Sequence, residues 1–464
     1  MNTISSHRQP PILNIYPEIL WNILSILTEG FWTDNALKSI RLCSQLCQFW
    51  RQCILDSPSI WGKLINFNEF CHSKDQWMEE VMRRSGSTLL WIKGPIHGET
   101  ADRTKALETF FFSILNNHWD RIQRIHIGLW RFDAQDHYNW TAVLRPAPHL
   151  QIFKVSPPFA SVPWFSMPCL FADHAPNLHI FNAHEAFPIY PEARWLSALR
   201  TVNLCFPLAL PEILDALGAM NLLESLTISI DSLDRESPMT HADTTLIDLP
   251  NLSQLWINSN LSTTLHIIAA LRVASSCSFQ IYCTDTYFTL DAESSSLTPL
   301  FKLIQNYFHS YRPKKVWLTA RRCEYLFSDC DSAYPEAPRT SNPLFVVRFS
   351  SSFPLENIHS LFRASSFLSA NMSSVMDLHV DAETHFALDI CQQFFSSLSS
   401  IIHLTLIKDM VSYLSFIEVH QAFPLLRLVR FKGGIDMRGS TVIKNFEESR
   451  NAAGRPVLIV SLPN

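Results

Sequence analysis

Apolar residues recur along this chain with two different periods, and the first is helical. Between positions 16 and 28, Tyr16, Ile19, Leu20, Trp21, Ile23, Leu24, Ile26 and Leu27 fall at helical spacing. Projected at 100° per residue they cover an arc of roughly 220°, and only Glu18, Asn22 and Ser25 make a coherent polar face. Asn14 is the predicted N-cap, Pro17 sits in the first turn where its missing N–H costs nothing, and Glu18 suits the positive helix end. Gly30 ends the helix. A second helical pattern runs over about 35–54 through Leu37, Ile40, Leu42, Cys43, Leu46, Cys47, Trp50 and Ile54, and Asp56-Ser57-Pro58 breaks it. Ile60 and Trp61 are apolar again. A region this short lies near the limit of independent stability and cannot hide so wide an arc by itself, so a docked protein is expected to cover the remainder.

From residue 75 the texture changes. "DQWMEEVMRRSGSTLLWIKG" predicts a helix ending near Arg84, a Ser-Gly turn and a strand. Beyond it, short segments recur with an apolar residue, two variable, an apolar, one variable and an apolar: "RIHI" (124–127), "LQIFKV" (150–155), "LRTVNL" (199–204), "LESLTI" (223–228), "LSQLWI" (252–257), "VMDLHV" (375–380), "IIHLTL" (401–406) and "LRLVRF" (426–431). Weaker copies stand at "KKVWL" (314–318) and "PLFVVRF" (343–349), among others. Helical stretches lie between them at 108–118, 211–220 and 356–370. A strand–loop–helix unit cannot bury its faces singly, so the pattern predicts an α/β chain whose units stack into a curved solenoid with a parallel sheet. Two polar spans, 231–248 and 328–343, read as projecting loops, either binding elements or tolerated insertions. Trp256, Trp317 and Arg430 are exposed strand positions of the residue types that anchor protein interfaces, which makes them candidates for target binding.

Composition narrows the function. The 464-residue chain is 47% hydrophobic and 17% charged with a net charge of −5, so no basic surface advertises nucleic acid. No apolar run reaches the roughly 18–20 residues of a membrane-spanning helix. The first fifteen residues lack the features of a secretory signal, which leads us to expect an intracellular protein of cytoplasm or nucleus. Eleven cysteines are then expected as free thiols. Cys43 and Cys47, spaced i, i+4, have no second ligand pair at metal spacing, so they read as core residues of one helix face and no metal is expected. Eleven glycines are few against a usual share of about 7%. The Gly-rich phosphate loops and nucleophile elbows are missing, as is HExxH, and the histidines form no acid–base constellation. We expect no enzyme and no cofactor.

The opening residues resemble a known family. Tyr16-Pro17-Glu18-Ile19-Leu20 with Ile23, Leu24 and Leu27, then "LCSQLCQFWR" at 42–51, then Pro58, Ile60 and Trp61, resemble the F-box in order and spacing. Tyr16 stands where that motif has leucine. Trp77 followed by "RRSG" (83–86) and an apolar strand resembles the segment after the F-box in a large group of fungal F-box proteins. The resemblance implies an F-box domain over 11–65 and docking to the Skp1 adaptor of a cullin-RING ubiquitin ligase. Pro17, Glu18, Ile19, Leu20, Ile23 and Leu24 match the part that faces the adaptor, whereas Trp50 and Trp61 are expected to hold the small domain together. The remainder, 75–464, resembles an irregular leucine-rich-repeat array of the kind that accompanies F-boxes. Only Asn260 stands where a typical repeat carries asparagine. The expected role is a substrate-recognition subunit that binds Skp1 and an unknown target protein. The alternative is a leucine-rich-repeat scaffold with no part in ubiquitination.

Overall fold

The computed structural model describes residues 15–30, 35–129, 140–156, 169–183, 187, 189–205, 210–230, 246–284, 297–321, 324–329, 345–350, 372–382, 395, 398–419, 422–433 and 439–462. The chain is a mixed α/β protein whose strands are mostly parallel, and it divides into two compact units, Met1–Asn203 and Leu204–Asn464. The predicted loops at 231–248 and 328–343 and the predicted helix at 356–370 lie largely or wholly outside the described residues, as does Asn14.

The first unit opens with helices α1 (Pro17–Glu29), α2 (Ala36–Cys43), α3 (Gln48–Leu55) and α4 (Pro58–Gly62). Pro17 occupies the first turn of α1 as expected, and Tyr16 takes the N-cap position without a side-chain cap. The single helix expected over 35–54 is two helices. Cys47 is extended at φ −160° and caps α3 with its Sγ, which accepts from Trp50 N at 3.5 Å. Cys43 and Cys47 therefore do not share a helix face. Trp50 and Trp61 are buried, and the Trp61 indole N–H donates to Ile54 O at 2.8 Å.

Strand β1 (Ile65–Asn66) and helices α5 (Phe67–Phe70) and α6 (Asp75–Ser85) follow, with α6 packed on α4. Gly86, at φ 52°, stops α6 where the Ser-Gly turn was predicted. Strands β2 (Leu90–Ile96), β3 (Ile122–Leu129), β4 (Ile152–Ser156), β5 (Ile180–Asn182) and β6 (Thr201–Cys205) continue from β1 in chain order, each parallel to the last. Helix α7 (Ala101–Asn117) fills the connection between β2 and β3. Gly94, at φ 98°, lets β2 approach α5: a Cβ there would stand 2.9 Å from Asn68 N. Alternate residues of β3 (Ile125, Ile127 and Leu129) and of the neighbouring strands point into an aromatic core, where Phe153 stacks on Phe181 and meets Phe171 and Phe187 edge to face.

In the second unit the parallel ladder is interrupted once. Strands β7 (Ser225–Ser229), β9 (Gln254–Ser259) and β11 (Ser278–Cys283) pair in parallel. Strand β12 (Lys315–Arg321) does not join β11. Strands β13 (Glu324–Ser328) and β14 (Phe345–Ser350) lie between them, with β13 antiparallel to both its neighbours. The sheet then resumes in parallel through β15 (Asp377–Ala382), β16 (His403–Ile407), β17 (Leu428–Lys432) and β18 (Leu458–Leu462). Short β8 (Ile247–Leu249) and β10 (Leu271–Val273) pair separately. Helices α8 (Leu210–Gly218), α9 (Leu261–Ala270), α10 (Thr298–Tyr311), α11 (Tyr413–Val419) and α12 (Thr441–Ala452) occupy connections. The expected fully parallel sheet is thus corrected at β13. "EYLFS" reverses direction within a few residues of β12, and a hairpin needs no crossover helix. Asn260 is also reassigned: its side chain caps α9, accepting from Thr263 N at 2.7 Å.

Candidate protein-interaction surfaces

Helix α1 packs against α2, α3 and α4 with one face only. Leu20 and Leu24 are fully buried there, joined by Ser25 and Thr28. Thr28 Oγ1 donates to Ser25 O at 2.8 Å, which satisfies a hydroxyl that burial would otherwise penalise. Lys63 anchors the same end, 3.4 Å from Ser25 Oγ and 3.6 Å from Glu29 Oε1. On the opposite side Tyr16, Ile19, Ile23, Ile26 and Leu27 are all exposed and occupy an arc of roughly 100°.

Of the six residues expected to face the adaptor, Pro17, Glu18, Ile19 and Ile23 point outward and Leu20 and Leu24 point inward. Sequence reasoning passed over Ile26 and Leu27 as contact residues, and also Leu42, Leu46 and Phe49 on the neighbouring helices, all of them exposed. Nine of the fifteen exposed large apolar side chains among the described residues fall between Tyr16 and Phe49. Apolar surface is therefore concentrated at this bundle. Burial raises the Cys43 and Cys53 thiols above their ordinary range, so neither is an activated thiolate.

The sheet of the second unit brings the three target-binding candidates into one line. Cross-strand partners run Trp256–Gln280–Val346–Ser328–Trp317, then His379–Thr405–Arg430. All eight residues are on the same face, because their sequence neighbours Leu255, Phe279, Phe345, Phe327, Leu318, Leu378, Leu404 and Val429 line the buried core on the other. The expected exposure of Trp256, Trp317 and Arg430 is corrected: all three are half-buried, because side chains on adjacent strands crowd one another, and Gln280, Val346, Ser328 and Thr405 between them are buried. At strand spacing, Trp317 and Arg430 are three steps, about 14 Å, apart, and Trp256 is four steps, about 19 Å, from Trp317. Each Trp has an aromatic companion. Trp317 stacks on His379 with centroids 4.7 Å apart, and Trp256 meets Tyr282 at 5.7 Å. Both acids beside the stack are engaged. Asp381 accepts from Arg321 Nε at 3.1 Å and Nη2 at 2.5 Å, and Asp377 pairs with His403.

Among the described residues no three His, Cys, Asp or Glu side chains gather as a metal-holding group, and no helix is long and apolar enough to cross a membrane. No protein-family model matches the chain, and no curated protein matches it. Among solved structures the chain is similar to the leucine-rich repeat-containing protein LegL7 from Legionella pneumophila, at 13% identity over 58% of this chain and 88% of that chain. The TM-score of that match is 0.23, a level at which the likeness carries no argument.

Proposed function

We propose that the chain is a non-catalytic recognition subunit that docks to Skp1 through α1 and its neighbouring helices and holds a target protein on the outward face of its sheet. The observation that supports this reading is the exposed apolar stripe of α1, backed by two buried leucines that fix the helix in place. Fully burying an isoleucine or leucine side chain from water yields about 1.5–3 kcal/mol. Ile19, Ile23, Ile26 and Leu27 are already partly covered, so each contributes only a part of that to an interface. The F-box resemblance of residues 16–61 supplies the partner, and the reading of 75–464 as an irregular leucine-rich-repeat array supplies the target-holding part. The function that follows is effective concentration: a target held beside a ubiquitin-transferring assembly meets it as a tethered neighbour.

The test uses the outward residues, because charging Leu20 or Leu24 would unfold the bundle. Ile19→Asp with Ile23→Asp is expected to abolish co-purification with Skp1 while the far-ultraviolet circular dichroism and the unfolding midpoint stay unchanged. Retained co-purification would discard this face. A scaffold with no ubiquitination role would bind Skp1 and yet fail to assemble with cullin, so reconstitution with cullin separates the two roles.

A further inference from the structure

A small pocket opens on the outward face of the second unit, between β12 and β17. It has a volume of about 140 Å³, and its lining includes Trp317, Thr319, His379, Asp381, Thr405 and Lys432. A drug-sized ligand or cofactor needs roughly 300 Å³ or more, whereas this space equals four or five waters at about 30 Å³ each and suits one short side chain. The space also admits the end of a larger molecule that lies across the sheet.

The polar groups around the pocket select the charge of that side chain. The Trp317 indole Nε1–H is buried and has no hydrogen-bond partner among the described residues, although its ring is fixed by the stack on His379. A buried donor without an acceptor carries an unrecovered desolvation cost, which an arriving acceptor offsets. Arg430 flanks Thr405 in the cross-strand row, and Lys432 lines the pocket one alternation further along β17. Neither cation has an ion-pair partner among the described residues, whereas Asp381 and Asp377 are committed to Arg321 and His403. The uncommitted charge at the pocket is thus positive, and the uncommitted buried group is a donor. Both favour a carboxylate, which accepts hydrogen bonds and has nothing to donate.

We infer that this pocket takes a glutamate or aspartate side chain of an acidic, extended segment in the target protein, with Trp317 and Lys432 as its anchors and Arg430 beside it for a neighbouring acidic residue of the same segment. This inference rests on the reading that the sheet face holds a target, and it is independent of which adaptor α1 binds. The probe is a fluorescein-labelled peptide of alternating Glu and Ser, titrated by anisotropy against the full chain, with a Gln-Ser peptide as control. The Glu-Ser peptide is expected to bind at least about tenfold more tightly than the control and to weaken as salt is raised. Arg430→Glu with Lys432→Glu is expected to weaken it by about tenfold or more. Trp317→Phe keeps a ring for the stack but removes the N–H, and a loss of about tenfold is expected there too. Unchanged unfolding midpoints show that the variants fold.

Equal affinity for the Gln-Ser peptide, or unchanged binding by the charge-reversed variant, overturns the inference. Binding of a phosphoserine peptide where the Glu-Ser peptide fails also overturns it, in favour of a phosphate site. Loss of peptide binding with Skp1 co-purification intact would remove this pocket alone. Loss of Skp1 co-purification in wild type with peptide binding intact would remove the adaptor reading alone.

Discussion

Ile26 in α1 and Phe345 in β14 are both large apolar side chains in regular elements, yet the first is 68% exposed and the second is fully buried. The difference lies in how many neighbours each element has. A helix presents a full circumference, and α2, α3 and α4, with eight, eight and five residues, cover only one side of the thirteen-residue α1. A strand inside a sheet has two partners supplied by the ladder and needs one helix to cover one face. Phe345 meets Tyr307 and Phe308 of α10 at 5.2 and 5.3 Å, Phe327 at 5.1 Å and Phe279 at 6.0 Å. The sheet resolves its apolar surface internally and presents polar and aromatic groups outward. The helical bundle leaves apolar surface in contact with water, which is what the proposed docking would cover.

The largest expected effect tests the closed half of that contrast. Phe345→Ala removes the hub of four aromatic contacts and should destabilise the second unit by about 3–5 kcal/mol, read from denaturant unfolding followed by tryptophan fluorescence. Leu24→Ala, on the buried face of α1, should cost about 2–5 kcal/mol, since it also leaves a cavity. A cost below about 1 kcal/mol for Phe345→Ala would show that the sheet does not pack as tightly as its ring contacts imply.

Much of this architecture was legible along the chain, and the gaps have physical causes. Pro17, Glu18 and Gly30 mark the ends of α1 through backbone constraints that act locally. In "LSQLWI" and "LRLVRF" the spacing of an apolar residue, two variable, an apolar, one variable and an apolar marked the strands, and the two-residue period then put Trp256 and Arg430 on the outward side, because side chains change face at every step. The inward and outward sides of α1 were not legible: with apolar residues over roughly 220°, periodicity offers no contrast by which to choose Leu20 over Ile19. The break at 44–47 was hidden because Cys47 sits at helical spacing while its thiol acts as a cap. Strand β13 was missed because "EYLFS" belongs to a hairpin inserted between β12 and β14 and does not follow the repeat. Trp256, Trp317 and Arg430 were each readable as outward positions. Their alignment was not, since it depends on cross-strand register through that insertion.

A middle-sized effect sharpens the account of the connections between strands. Asn260 caps α9 and its neighbour Ser259 is buried at the end of β9. Asn260→Ala should cost about 1 kcal/mol, the usual loss for an N-cap, and Asn260→Ser should recover most of it. A repeat-type asparagine, bonded to backbone inside a turn ladder, would instead lose as much with serine as with alanine. Comparing the two unfolding midpoints decides which role the side chain has.

The smallest expected effect bears most directly on the open half of the contrast. Ile26 stands at one edge of the exposed stripe of α1, next to Ile19 and Ile23 at helical spacing, and is 68% exposed. With most of its surface already in contact with water, its removal forfeits little burial and opens no cavity, so Ile26→Ser should change stability by no more than about 0.5 kcal/mol. The slightly lower helix propensity of serine accounts for part of even that. The same substitution should nevertheless weaken Skp1 co-purification, because a side chain that contributes nothing to folding is free to contribute to association. A measured loss of about 2 kcal/mol or more would mean that Ile26 is already covered within the chain. The bundle would then resemble the sheet in closing its own apolar surface, and the stripe would no longer call for a partner.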